Sequence, residues 1–469
     1  MKNEIRLVKV RAGNGSSEVL ECDIEHKLLS KARYTYEAIS YFWGESSRSH
    51  DVLCDDGTNH LKVTSNLCEV LRQLASLPGN TNCRNHWIDS ICINQDDAIE
   101  RGSQVQQMAD IYRLSEQVHI FLGVLAPGID PLQSEWFTRR WVVQEAFVAQ
   151  KIHISFEQSG QTCHFDGWKP FWDHCFHLNG YNGITAMAGL KFFGFATDVP
   201  GSVQHDILDL MYTFHDAKCS DDRDRLFALV GASRDVTTKQ KPGTSLNYPG
   251  SIFYYKPDYT VTTEQAYRSF AQAALRSTSA FKLLSCAGAF RHASSKYTTS
   301  IPSWTPDWRC KAPLARAPDY SCFTAGFRRI TNGQSTERRP AILVDETDWS
   351  INFRAVHLGK VKNIVFLVIK SQWSQSGLIQ ARLDAGNDIY DAVGVALEDE
   401  VVIPIGSPTP FIIRRQAEEL GSSLNYKLIS DCWLLDEHYN AHSYPRVRVM
   451  NGDYISQTNT TSICEYRII

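Results

Sequence analysis

Between residues 36 and 149 the chain passes three times from a short apolar run into a segment of helical periodicity, and this alternation limits the fold more than any other feature. "YEAISYF" (36–42) reads as a strand that stops at the polar loop "WGESSRSH". Residues 62–77 then place Leu67, Val70, Leu71 and Leu74 at helical spacing. The run 87–93, with Trp87, Ile88, Ile91, Cys92 and Ile93, reads as a buried strand leading into a helix at 97–115. "VHIFLG" (118–123) precedes a Pro/Gly loop at 125–131 and a helix at 135–149. Alternation of this kind predicts α/β structure: a mainly parallel sheet with flanking helices. Ligands of such sheets bind beyond the carboxyl ends of the strands. Three segments meet that condition: the loops after Phe42 and Ile93 and the start of the helix after Gly123. Together they gather Tyr41, Trp43, Gly44, Asp89, Asn94, Gln95, Arg140, Trp141 and Glu145 on one rim.

Around this segment the texture changes. Residues 5–10 and 18–25 alternate as strands about the turn "RAGNGSSE", giving an amino-terminal β-hairpin extension over 1–33. The α/β domain follows at 34–150, then a mixed helical connector at 151–235 with helices near 203–217 and 222–232. Short β-like runs such as "AILVD", "NIVFLVI", "VVIPI", "PFIIR" and "RVRVM" fill 236–469 with one helix at 263–276, which predicts a β-rich, largely antiparallel carboxyl-terminal module.

Composition narrows the function classes. A net charge of -4 gives no electrostatic footprint for nucleic acid, and the basic pairs Arg328-Arg329 and Arg338-Arg339 read as solvated surface. The amino terminus lacks the apolar core of a signal peptide. "VKNIVFLVIK" (361–370) is far short of the ~20 residues a spanning helix needs. A soluble, cytoplasmic protein without a membrane span is expected, with its 13 scattered cysteines reduced. "GNG" at 13–15 lacks the third glycine of a dinucleotide fingerprint and reads as a tight turn; there is no P-loop. Cys163, His164, His174, Cys175 and His177 are residue types that zinc favours, but their spacing fits no closed site, and core cysteines with partly exposed histidines are the default. No metal and no resident cofactor are expected.

On the rim, each residue has a plain reading beside a functional one. Trp141 and Glu145 lie four apart, hence on one helical face, and Glu145 flanked by Arg139 and Arg140 could be a local ion pair. Asp89 could cap the helix beginning near Asp97. Asn94 and Gln95 could close the turn between them. If instead the rim binds a ligand, its carboxylate must be reachable from a cleft.

Three ordered blocks, "YEAISYFWG" (36–44), "WIDSICINQDDAIERGSQVQQMADIY" (87–112) and "RRWVVQEAFVA" (139–149), resemble those of the fungal heterokaryon-incompatibility (HET) domain. "CSDDRDRLFALVGA" (219–232), "YKPDYTVTTEQAY" (255–267) and "IPSWTPDWR" (301–309) resemble segments that follow the domain in stand-alone fungal HET proteins, as does "DEVVIPIGSPTPFIIRR". The resemblance implies an effector of nonself recognition that triggers programmed cell death. It also implies a distant likeness to TIR domains, many of which cleave NAD with a glutamate in a Trp-x-x-x-Glu pattern, here Trp141 to Glu145. On that basis Glu145 is the expected catalytic carboxylate, with Tyr41, Trp43, Gly44, Asp89, Asn94, Gln95, Arg140 and Trp141 binding substrate. NAD or a related nucleotide is the expected ligand, as substrate. Self-association and an upstream incompatibility or NLR-type partner are expected partners. The alternative is a non-enzymatic nucleotide-sensing or protein-interaction module that signals by assembly.

Overall fold

The computed structural model describes residues 3–12, 20–45, 47–54, 59–76, 84–179, 192, 205–239, 252–277, 280–290, 301–310, 342–345, 347–370, 375–383, 388–390, 395–405, 407, 410–416, 424–431, 433–435 and 463–469. The Gly13–Gly15 turn, the Arg328-Arg329 and Arg338-Arg339 pairs and the expected strand at 446–450 lie outside them. The chain divides into two compact units, residues 1–238 with 256–261, and residues 239–255 with 262–469.

The first unit is built on a nine-stranded sheet. Its strands are β1 (Glu4–Ala12), β2 (Leu20–Leu28), β3 (Tyr36–Tyr41), β4 (His50–Cys54), β5 (Asn59–Val63), β6 (Asn85–Ile88), β7 (Gln117–Leu125), β8 (Ile152–Gln158) and β9 (Gln161–Asp166). They lie in the order β5-β4-β2-β1-β6-β3-β7-β8-β9. The centre, β6-β3-β7-β8, is parallel throughout. The wings are mixed: β1 runs antiparallel to β2 and β6, β4 to β5 and β8 to β9, while β2 and β4 are parallel. The expectation of a mainly parallel sheet is therefore corrected to a parallel centre with mixed wings. The hairpin β1–β2 is part of this sheet.

β3 is buried at all six positions, as a central strand covered on both faces must be. The helix Ser65–Ser76 turns Leu67, Cys68, Val70, Leu71 and Leu74 inward. Trp87 meets the ring of Tyr112 edge-on at 5.3 Å, and the Tyr36 hydroxyl donates to the Ile111 carbonyl at 2.5 Å. These contacts lock β3 and β6 to the helical segment that follows.

Several predicted elements are shorter than periodicity suggested. The strand expected at 87–93 ends at Ile88, and Asp89–Cys92 forms a helical turn. Asp89 causes the change, because its carboxylate accepts the Ser90 amide at 2.7 Å and so competes with strand pairing. The helix expected at 97–115 is two, Ala98–Val105 and Met108–Leu114. The helix expected at 135–149 is a 3-10 turn, Glu135–Thr138, then one extended residue, then a short helix, Val142–Phe147. Arg139 leaves the helical region at φ -80, ψ 141 because Lys218 runs alongside it. The Lys218 amide donates to Thr138 O at 2.7 Å and the Arg140 amide to Lys218 O at 2.9 Å. The β4–β5 hairpin occupies sequence read as loop and helix start.

In the second unit, strand Ile351–Lys370 pairs with Glu400–Pro404, which pairs with Phe411–Arg415, then Asn425–Asp431, then Ile463–Ile468, which returns to the first strand. The ring is closed, so these five strands leave no open edge. Its pairings are antiparallel except that between Asn425–Asp431 and Ile463–Ile468. Val401, Val402, Ile403, Phe411, Ile412 and Ile413 are buried. The helix Thr263–Leu275 starts at a capping box formed by Thr262 and Gln265.

Gly231, just after the helix Asp224–Val230, shows how tightly the first unit is packed. Its amide donates to Gln144 Oε1 at 3.1 Å. A Cβ there would lie 2.2 Å from that oxygen and 2.4 Å from Ala109 Cβ. Gly231→Ala should therefore destabilise this unit by about 2 kcal/mol, the usual cost of overpacking, read as a lower urea midpoint; an unchanged midpoint would refute the packing.

Candidate functional site

The three blocks meet at the carboxyl ends of β3 and β6. Ser40, near the end of β3, donates its hydroxyl to Glu145 Oε2 in the Val142–Phe147 helix. The same Ser40 oxygen accepts the Trp136 indole N–H at 2.8 Å. Trp43 in the loop after β3 donates its indole N–H to Asp89 at the end of β6, 3.2 Å from Oδ1 and 3.1 Å from Oδ2. The Tyr41 hydroxyl pairs with Ser90 Oγ at 2.7 Å. Arg139 donates to the Tyr41 carbonyl and lies 3.9 Å from Glu145 Oε1.

Glu145 is 1% exposed. The expectation of a carboxylate reachable from a cleft is therefore corrected: Trp136, Ser40 and the helix itself seal it. Oε1 has no hydrogen-bond partner among the described residues. Burial pushes the carboxyl up to about 7; Arg139 and the Ser40 hydroxyl oppose this and Asp89 adds to it. Asp89 is 7% exposed and raised for the same first reason, against the pull of Arg139, the Ser90 amide and the Trp43 indole. Burial also holds the Tyr41 phenol neutral. Two carboxyls and one arginine thus share a space with little water.

Other predicted site residues do different work. Arg140, expected to bind substrate, is buried and donates its guanidinium to the carbonyls of Arg225 and Phe214. That reading is corrected, and Arg139 is the arginine beside Glu145. The Trp141 indole donates to Asp224 Oδ2 at 3.1 Å, in a cluster where Tyr259 donates to Asp224 Oδ1. It therefore walls a different group from Glu145, although the Glu145 amide still donates to Trp141 O at 3.2 Å. Asp224 is pushed up to about 6, mainly by burial. Gly44 sits at φ +73, and a Cβ there would lie 2.6 Å from Asn66 Nδ2, which donates to Phe42 O. Its glycine is required by the turn, without any ligand.

Asn94 and Gln95 close the loop. Asn94 Oδ1 accepts the Asp96 amide at 3.2 Å, and Gln95 Nε2 donates to Asp89 O at 3.1 Å. The helix Ala98–Val105 is capped by Asp97, which accepts from the amides of Ile99 and Glu100, so the cap suggested for Asp89 is corrected to Asp97. Sequence reasoning missed Ser40, Ser90 and Trp136 as rim residues, and gave Arg139 only as a possible ion-pair partner of Glu145, which it is. Ser40 had a signal, a lone hydroxyl among apolar neighbours in a strand; nothing in the spacing distinguishes Arg139 from Arg140. Among the described residues, no three metal-ligand side chains could hold an ion.

Residues 36–128 match the family described as heterokaryon incompatibility protein (HET). The chain carries a HET domain. A stretch of 134 residues, 27% of the chain, is 36% identical to heterokaryon incompatibility protein 6, OR allele, of Neurospora crassa. That stretch covers 19% of the relative, so the similarity spans about a fifth of that protein's length. No solved structure matches the chain. The matched HET segment runs from the start of β3 to just past β7 and includes Ser40, Tyr41, Trp43 and Asp89; Arg139 and Glu145 lie beyond it. Among the described residues, no helix is long and apolar enough to cross a membrane.

The raised Glu145 carboxyl makes folding depend on pH. Its ordinary value is 4.5 and its folded value about 7, so over that interval the native state keeps a proton that the unfolded chain has released. Stability from this group is complete below about 4.5 and is lost as pH rises through about 7. Urea unfolding from pH 5 to 8 should show wild-type protein losing stability relative to Glu145→Gln as pH rises. Parallel pH slopes for the two proteins would contradict the burial.

Proposed function

We propose that this protein is an effector of fungal nonself recognition and that its HET domain cleaves NAD at the nicotinamide–ribose bond. The HET match and the name of the Neurospora crassa relative support the first part. The second rests on one observation: a buried glutamate with one unpartnered oxygen stands beside an arginine at the carboxyl end of β3.

The strand order supports a ligand there. Counted along the chain, the parallel centre β6-β3-β7-β8 reads second, first, third, fourth, which is the flavodoxin-like order. In that order ligands bind where the winding reverses, between the first and third strands, here β3 and β7. The order supports the proposed TIR-like reading by analogy of fold alone.

Nicotinamide leaves readily because its ring nitrogen is cationic, so the protein needs chiefly to stabilise an oxocarbenium-like ribose. Ionised Glu145 would accept from the ribose hydroxyls through its unpartnered oxygen and oppose the developing positive charge. Arg139 would serve the phosphates, Trp43 with Tyr41 would wall the site against bulk solvent, and one water would attack ribose C1′ as nicotinamide departs, giving ADP-ribose. Because Glu145 is sealed, the elements that cover it, among them the turn carrying Trp136, must move before substrate enters, and self-association is the proposed trigger. The sealing also favours a second reading, a non-enzymatic module that signals by assembly.

Incubating the full chain with NAD should release nicotinamide and ADP-ribose, and Glu145→Gln should lower turnover at least about a hundredfold. Turnover should rise with pH through about 7 as Glu145 ionises. Equal turnover in both proteins would remove Glu145 from the chemistry. Killing of cells by overexpressed wild type and variant alike, with NAD undiminished, would establish the assembly reading.

A further inference from the structure

We infer that Cys22 and Cys54 are a peroxide-sensitive pair that closes into a disulfide. The two residues are register partners on the parallel strands β2 and β4. Neighbouring strands lie ~4.8 Å apart, within the Cα separation a disulfide accepts. Register partners point to the same side of the sheet, and the two sulfurs approach to 2.9 Å. Both side chains are buried, at 1% and 4% exposure, so the thiols are held against each other with little room to turn away.

The oxidant is a hydroperoxide. One cysteine, as its thiolate, attacks a peroxide oxygen; the O–O bond breaks and, with hydrogen peroxide, hydroxide departs and takes up the proton released by the thiol to become water, leaving a sulfenic acid. The second thiol then attacks that sulfur, the S–S bond forms, the S–O bond breaks, and the leaving hydroxide takes the thiol proton as a second water. Two thiols lose two electrons, and one peroxide gains them.

The position of the bond gives it a consequence. Among the described residues, β4 meets β2 at two register pairs, Glu21 with Leu53 and Cys22 with Cys54. Its other neighbour is β5, at the edge of the sheet. The covalent loop from Cys22 to Cys54 would enclose β3 and the segment holding Ser40, Tyr41, Trp43 and Gly44. Oxidation therefore fastens the far end of the loop that carries Trp43 and restrains the β4–β5 hairpin. This inference stands on β2 and β4 alone and does not depend on the proposed chemistry of Glu145.

The test treats the full chain with hydrogen peroxide, blocks remaining thiols with iodoacetamide and maps peptides by mass spectrometry. A cross-linked Cys22–Cys54 peptide about 2 Da lighter than the sum of its thiol parts, reversed by dithiothreitol, is expected. Hydrogen exchange of β4 and β5 should slow about tenfold or more in the oxidised protein. Cys54→Ser and Cys22→Ser should each abolish both effects. Bonding of either cysteine to another partner, oxidation without a cross-link, or full alkylation of both after peroxide would overturn the inference. If a serine variant fails to fold, the wild-type peptide map alone decides it.

Discussion

The Ser40 hydroxyl holds a carboxylate inside the first unit, and much of the rim depends on that placement. Ser40 takes a proton donor from Trp136 and gives its own to Glu145, which joins the central strand to the 3-10 turn and helix of the third block. Leaving a carboxylate in this surrounding without partners would cost several kcal/mol, so the helix can seat there only with Ser40 and Arg139 already in place. The arginine in turn fixes the end of β3 through the Tyr41 carbonyl. One charged group thus fixes three separated stretches of sequence, while the apolar contacts around it, Trp136 against Phe137 and Phe192, supply the bulk of the packing.

The alternation of strand and helix was legible because the parallel centre needs near-continuous apolar strands, and β3, β6 and β7 provide them. Element ends were not legible, because they are set by partners distant in sequence. Lys218 draws Arg139 out of a helix that periodicity alone would continue. The choice between Arg139 and Arg140 has the same origin. The carbonyls that accept from Arg140 belong to Phe214 and Arg225, more than seventy residues away, and nothing near Arg140 reveals them. Trp141 and Glu145 satisfy the four-residue spacing, yet the indole answers to Asp224, since a residue at the start of a short helix can turn toward whatever lies beyond it. Ser40 was readable in principle, because a hydroxyl in a fully buried strand must find a partner.

The second block shows how a strong sequence signature can arise from folding alone. Asp97 caps its helix. Glu100 accepts from the Asn94 amide and pairs with Arg6. Gln95 closes the loop onto the Asp89 carbonyl, and Asp89 is engaged by Trp43 and the Ser90 amide. Gln104 donates to Glu4 O, tying the same segment to the first strand. Apart from Gln104 Oε1, which has no hydrogen-bond partner among the described residues, the polar groups named here are engaged by the protein itself, so folding accounts for most of the block's composition.

Glu145 Oε1, like Gln104 Oε1 and Glu37 Oε2, is buried without a hydrogen-bond partner among the described residues. Its sister oxygen is satisfied by Ser40, whereas Oε1 has Arg139 at 3.9 Å and no hydrogen bond among the described residues. A fold that needed the carboxylate only as a strut could use the Ser40 bond with a neutral amide at the same position, avoiding the desolvation of a charge. Retaining an ionisable group whose burial raises it to about 7 costs stability at neutral pH. On the proposed reading, a ligand donor reaching Oε1 would offset that cost.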